Sequence, residues 1–336
     1  MQSVASHIGA KALPVFNRLL KIFPKQYDLA FAYGSGVFQQ TGHANIKNNM
    51  LDVIFIVKSP EQWHRKNLEE NRRHYSFLKV FGPRSISRIQ DGTGAVFISN
   101  TLVPWENRLI KYGVISRHRF VQDMLDWDTL YISGRLHKPV LWLKDTRLNK
   151  VNTAVHVNLQ SAVHTALLML PECFNEQDLF LSIAGISYSG DFRMTVGEDR
   201  GKVKNIVGPN LHRFRELYEN ILDNMQHLHW NKSIASFEQS NDHSCLYHHL
   251  SLLPKTMQLL IWEHINKDGR HRDLEESLMS VSHDYECSYI VANAITRIVQ
   301  RSSLTQSVKG IFTAGMVKSM KYSGQKLKKM AKSLRS

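Results

Sequence analysis

LAFAYGSGVFQQTG (Leu29–Gly42) runs a short apolar segment into Gly34-Ser35-Gly36. Apolar residues of this length, closed by glycines, predict a strand from Leu29 to Tyr33 that ends in a tight turn. Glycine permits positive φ and lets a ligand approach the main-chain N–H groups. Consecutive N–H groups in such a turn can seat phosphate oxygens, although the same pattern also serves as a plain turn. The next apolar run, MLDVIFIV (Met50–Val57), is β-branched and predicts a buried strand with Asp52 near its start. Together these parts match the needs of nucleotidyl transfer, in which a divalent cation offsets the repulsion met by a nucleophile approaching an anionic phosphorus. Ser35 and the amides of Gly34 and Gly36 would hold the β- and γ-phosphates, and Asp52 would bind the divalent cation.

Further cations lie along the chain. Lys111 interrupts the apolar LIKYGVI, and burying it unpaired is expensive, so it should face a phosphate or an acid. In YSGDFRM, Arg193 has the planar fork that suits a phosphate, with Asp191 placed to orient it or to bind metal, although the same pattern also serves as a Gly-Asp turn with a surface arginine. Arg117, His118 and Arg119 read as the N-terminal face of a helix.

The 336 residues suffice for two domains, and 43% apolar and 21% charged residues are ordinary for a folded protein. No apolar run reaches the roughly 18 residues of a membrane-spanning helix. A net charge of +14 favours anionic partners. Cys173, Cys245 and Cys287 are odd in number and widely spaced, which suits a reducing compartment. HSCLYHHL (His243–Leu250) lacks a second ligand pair and reads as a polar loop or helix face rather than a zinc site. The first 27 residues contain no acid and alternate cations with apolar residues, as a mitochondrial presequence or a first packed helix would. The last 36 residues are also free of acids. Lys318, Lys321, Lys328 and Lys329 there alternate with apolar residues at helical spacing, the pattern of a helix lying on an anionic membrane.

The predicted order is a helix at residues 10–23, the two strands, and a helix from Ser59 through Phe81. Two strands follow, paired around Pro104-Trp105, and then a helix from Ser116 to Gly134. Beyond Pro139 the periodicity is helical, interrupted by a glycine-punctuated stretch at residues 186–209.

FAYGSGVF, MLDVIF, HYSFLKVFGP, NRLIKYGVIS, LYISGRLHKPV, DLFLSIAGISYSGDFRM, VGEDR and IFTAG occur in the same order and with similar gaps as in the mitochondrial phosphatidate cytidylyltransferases. That family is also called the mitochondrial translocator assembly and maintenance proteins, and the chain resembles it from about Leu19 onward. The resemblance implies an α+β fold: a nucleotidyltransferase-fold mixed sheet with helices (residues 1–140), a mostly helical winged-helix-like domain (141–300) and a C-terminal amphipathic helix (301–336). It implies a Mg²⁺-dependent enzyme that makes CDP-diacylglycerol from CTP and phosphatidate, on the path to cardiolipin. The expected location is peripheral, on the matrix face of the mitochondrial inner membrane and bound to its anionic lipid. No nucleic acid and no obligate protein partner are expected. An RNA nucleotidyltransferase and a non-enzymatic assembly factor for inner-membrane translocases are the rival readings. One departure concerns the wider nucleotidyltransferase superfamily, whose second strand commonly carries two carboxylates two residues apart. Here Ile54 stands at the second position, leaving Asp91, Asp191, Glu198 and Asp199 as candidates for a further ligand.

Overall fold

A computed structural model describes residues 7–41, 49–92, 94–144, 148–195 and 201–314. Its chain order begins with α1 (His7–Leu20), β1 (Leu29–Tyr33), β2 (Leu51–Val57), α2 (Pro60–Asn71), α3 (Gly82–Gly92), β3 (Phe97–Trp105) and β4 (Arg108–Ser116). Next come α4 (Arg117–Asp126), α5 (Ser133–Leu136), β5 (Leu141–Lys144), α6 (Asn149–Leu167), β6 (Cys173–Asn175) and α7 (Glu176–Gly185). The remainder comprises α8 (Phe192–Thr195), α9 (Lys202–Val207), α10 (Leu211–Leu222), β7 (Leu228–Asn231), β8 (Ser236–Gln239), α11 (His243–Ser251), α12 (Lys255–Ile265), α13 (Leu274–Ser282) and α14 (Cys287–Ala314). The architecture is mixed α+β. Among the described residues no helix is long and apolar enough to cross a membrane.

Five strands form one mixed sheet in the order β3-β4-β2-β1-β5, with β2 and β4 parallel and the other neighbours antiparallel. Side chains alternate between its faces. Ala30, Ala32, Val53, Phe55, Tyr112 and Val114 pack on one side with Phe16, Leu19, Phe23 and Trp63. Leu29, Phe31, Ile54, Ile56 and Ile115 pack on the other with Phe120, Met124, Ile132, Leu136 and Val151. Phe16, Leu19 and Phe23 of the acid-free N-terminal stretch are therefore core residues. A second core joins α6, α7 and α10 to α14 with a three-stranded antiparallel sheet, β6-β8-β7.

Three boundaries differ from the periodicity. The helix expected through Phe81 stops at Asn71, because Tyr75 turns inward in extended backbone and its hydroxyl meets His64 Nδ1 at 2.8 Å and Asn67 Nδ2 at 2.9 Å. The β3–β4 turn falls at Glu106-Asn107 rather than Pro104-Trp105, and Pro104 sits on an edge strand, where its missing N–H costs nothing. The helix expected to reach Gly134 ends at Asp126, capped by Trp127 in the left-handed conformation. The division drawn at residue 301 falls inside the continuous helix α14, which lies against β3. There Gln306 receives the Ala95 N–H at 3.1 Å and donates to the Phe97 carbonyl at 3.3 Å. Lys318, Lys321, Lys328 and Lys329 lie outside the described residues.

Candidate active site

β1 ends at Tyr33, and Gly34–Gly36 make a single 3₁₀ turn closed by the Val37 and Phe38 N–H groups on the Gly34 carbonyl. Both glycines are required by geometry. Gly34 has φ +78°, and a Cβ on it would stand 3.4 Å from Asp52 Oδ2. A Cβ on Gly36 would meet the Met50 carbonyl oxygen at 2.5 Å. Asn49 Nδ2 donates to the Ser35 carbonyl at 2.9 Å and pins the turn to the approach of β2. The glycine turn and Asp52 are thus neighbours, as the sequence predicted.

Strand register brings in the next residues. Asp52 is paired with Tyr33 on β1 and with Lys111 on β4. Tyr33, Asp52 and Lys111 all fall on the face that also carries Phe31, Ile54 and Ile115. Ile54 is completely buried in that core, so the position two residues after Asp52 is given over to packing.

The same face receives the segment between α4 and β5. Asp123 accepts the Thr129 N–H and hydroxyl at 2.9 and 2.7 Å, and the Ile132 and Ser133 N–H groups at 3.1 and 2.9 Å. This buried carboxylate folds residues 129–133 back over the sheet and starts α5. The fold delivers Tyr131, Arg135 and Lys138 to the site. Arg135 Cζ lies 4.0 Å from the Tyr131 ring centroid and 5.4 Å from that of Tyr33. Lys138 Nζ donates to Ser187 Oγ at 2.9 Å and to the Gly134 carbonyl.

Arg193 belongs to the same electrostatic neighbourhood. Buried Asp191 accepts from its Nε at 2.9 and 3.0 Å and from a terminal nitrogen at 2.5 Å. Asp191 is thereby the group that orients Arg193. Asp91, another candidate ligand, accepts from Gln90 Nε2 at 3.2 Å and is held up by burial against the pull of Arg119, Lys309 and His118. Glu198 and Asp199 lie outside the described residues.

Titration behaviour reports the field. Burial alone would push the Tyr131 phenol up, but Arg135, Lys111 and Arg193 outweigh it and pull it down to about 7. Tyr33 is raised by burial, opposed by Arg135 and Lys111 and reinforced by Asp52. Lys138 is lowered to about 7 by burial and by Arg135 and Lys202. Several cations share a partly dehydrated space with Asp52 and a glycine turn. Such a space favours a polyanion, and Asp52 there suits Mg²⁺, which commonly takes one or two protein carboxylates and completes its shell from substrate phosphates. Tyr131, Arg135 and Lys138 were missed in the sequence. Their signal is a spacing of four and three residues in LYISGRLHKPV, hidden by reading that stretch as the end of a long helix.

A family model described as "Phosphatidate cytidylyltransferase, mitochondrial" matches residues 16–329. The chain belongs to that family. A relative of that name from Bos taurus is 49% identical over 318 residues, covering 94% of both chains. The Danio rerio relative is 48% identical over 317 residues, again covering 94% of both. The Caenorhabditis elegans relative is 39% identical over 320 residues, covering 95% of this chain and 99% of its own. The family match spans every residue of the site from Gly34 to Arg193.

Outside this site, HSCLYHHL forms α11, and His249 turns inward. His249 Nδ1 and His164 Nδ1 share a hydrogen bond of 2.9 Å beside a cavity of about 390 Å³ lined by His156, His164 and His248.

Proposed function

We propose that the protein is a CTP:phosphatidate cytidylyltransferase that forms CDP-diacylglycerol and pyrophosphate. The observation that carries this reading is the meeting of Asp52 and the Gly34–Gly36 turn with Lys111, Tyr131, Arg135 and Arg193 on one sheet face. The five-stranded sheet is read as a nucleotidyltransferase fold, and β6-β8-β7 with its surrounding helices as a winged-helix-like unit.

In this mechanism a phosphate oxygen of phosphatidate attacks the α-phosphorus of CTP in line. The bond to the β-phosphate oxygen breaks and pyrophosphate leaves. The Gly34–Gly36 amides and the Ser35 hydroxyl seat the β- and γ-phosphates. Lys111 and Arg135 offset the charge that builds on the leaving group. Arg193, held in place by Asp191, receives the phosphomonoester of the lipid. Asp52 would hold Mg²⁺, which when bound neutralises the triphosphate. The nucleophile is already largely ionised, since the second pKa of a phosphate is about 6, so no protein base is needed. The acid-free C-terminal segment supports peripheral attachment to an anionic membrane, taken as the matrix face of the mitochondrial inner membrane and upstream of cardiolipin.

Purified protein incubated with CTP, Mg²⁺ and phosphatidate tests the reading directly. The expected products are CDP-diacylglycerol and equimolar pyrophosphate, absent with Asp52→Asn. No product with any divalent metal would overturn it.

A further inference from the structure

The segment that breaks helix α2 leaves an unexplained surface. Leu78 is buried, but Phe77, Val80 and Phe81 around it are 50%, 74% and 61% exposed. The Phe77 and Phe81 rings meet edge to face with centroids 6.3 Å apart, so these side chains form one apolar tip. A protein that only needed a turn here would place polar residues on it.

The tip is built firmly. The Ser76 hydroxyl accepts from the Leu78 N–H at 3.4 Å, and the Phe81 N–H donates to the Leu78 carbonyl at 3.1 Å. Tyr75 anchors one end through its hydroxyl bonds to His64 and Asn67, and buried Ile86 anchors the other. Asn67 also donates to the Tyr112 hydroxyl at 2.9 Å, and Tyr112 follows Lys111 on β4. The tip is therefore tied by hydrogen bonds to the strand that carries a site cation.

The surrounding charge identifies the occupant. From Asn71 to Gln90 the chain carries Arg72, Arg73, Lys79, Arg84 and Arg88 and no acid. The four arginines are exposed. Protruding apolar side chains collared by cations match the layering of an anionic bilayer, with acyl chains beneath and phosphates at the headgroup level. A cationic or purely apolar protein surface would leave the arginines unmatched.

We propose that Phe77, Val80 and Phe81 insert into the interface of an anionic phospholipid membrane, with the flanking arginines on headgroup phosphates. This membrane contact is separate from the C-terminal segment. The inference rests on the lipid-substrate reading above and deepens it.

Full-length protein is floated with vesicles of phosphatidylcholine plus phosphatidylglycerol, and with phosphatidylcholine alone. Phe77→Ser/Phe81→Ser is expected to weaken partition to the anionic vesicles about tenfold, and Phe77→Leu/Phe81→Leu to retain it. Arg84→Gln/Arg88→Gln is expected to reduce its salt dependence. The serine variant should turn over water-dispersed short-chain phosphatidate normally but slow on vesicle-borne phosphatidate. Unchanged partition with an unaltered melting temperature overturns the proposal. So does a change of oligomeric state without lipid, which would assign the tip to a second copy. If wild-type protein makes no product from either substrate, the proposed reaction fails, while the flotation still decides the docking.

Discussion

Asp52 on β2 and Lys111 on β4 are direct partners in the parallel ladder at the centre of the sheet. A carboxylate and an ammonium fixed side by side next to a glycine turn can hold a cation and a phosphate without either moving. Asp52→Asn should lower turnover by more than about a thousandfold, with an unchanged melting temperature, because it removes only charge. Lys111→Met should lower kcat about a hundredfold. Steady-state assays of both variants check this.

Gly36→Ala places a methyl against the Met50 carbonyl and must shift the turn or β2. A destabilisation of about 2 kcal/mol is expected, together with a raised KM for CTP. Chemical denaturation and a CTP titration measure the two effects.

Tyr131 offers a spectroscopic probe of the cation cluster. Its phenol, held near 7, should give a tyrosinate absorbance rise near neutral pH that disappears in Tyr131→Phe. Arg135→Met removes the leading cation and should move that rise to higher pH. Bound pyrophosphate should do the same by cancelling the positive field.

Asp123 acts at a distance from the chemistry. Asp123→Ala strips partners from three buried N–H groups and a hydroxyl, and should cost about 3 kcal/mol of stability. Activity should fall further than stability predicts, because the released segment carries Tyr131 and leads into Arg135. Hydrogen exchange across residues 128–136 would detect the release.

Stability should decline in acid. His64 and His137 are fully buried, and burial lowers them to about 4 and about 3. Unfolded histidine titrates near 6.5, so below that pH the unfolded chain binds protons that the native state refuses. Each residue should then remove up to about 1.4 kcal/mol per pH unit, between about 6.5 and its folded value. Their stabilising effect is complete above pH 7. Urea midpoints from pH 7.5 to 4.5 test this, and His64→Gln should flatten the slope.

Strand β1, the glycine turn, β2 with Asp52 and the helical character beyond Pro139 were legible from residue order, because each depends on local periodicity or turn chemistry. The pairing of Asp191 with Arg193 was legible for the same reason, since a single residue, Phe192, separates them. The partners of Asp52 were not. Lys111 reaches it through parallel strand register, and Tyr131 and Arg135 reach the same face because buried Asp123 interrupts what looks like one helix. Strand register and buried side-chain hydrogen bonds of this kind override local propensity and leave no periodic trace. The sequence by itself determined which residue types are present to take up phosphate or metal, since that depends on residue chemistry. Only the tertiary structure decided which of them meet, because that depends on register and on where buried polar groups find their partners.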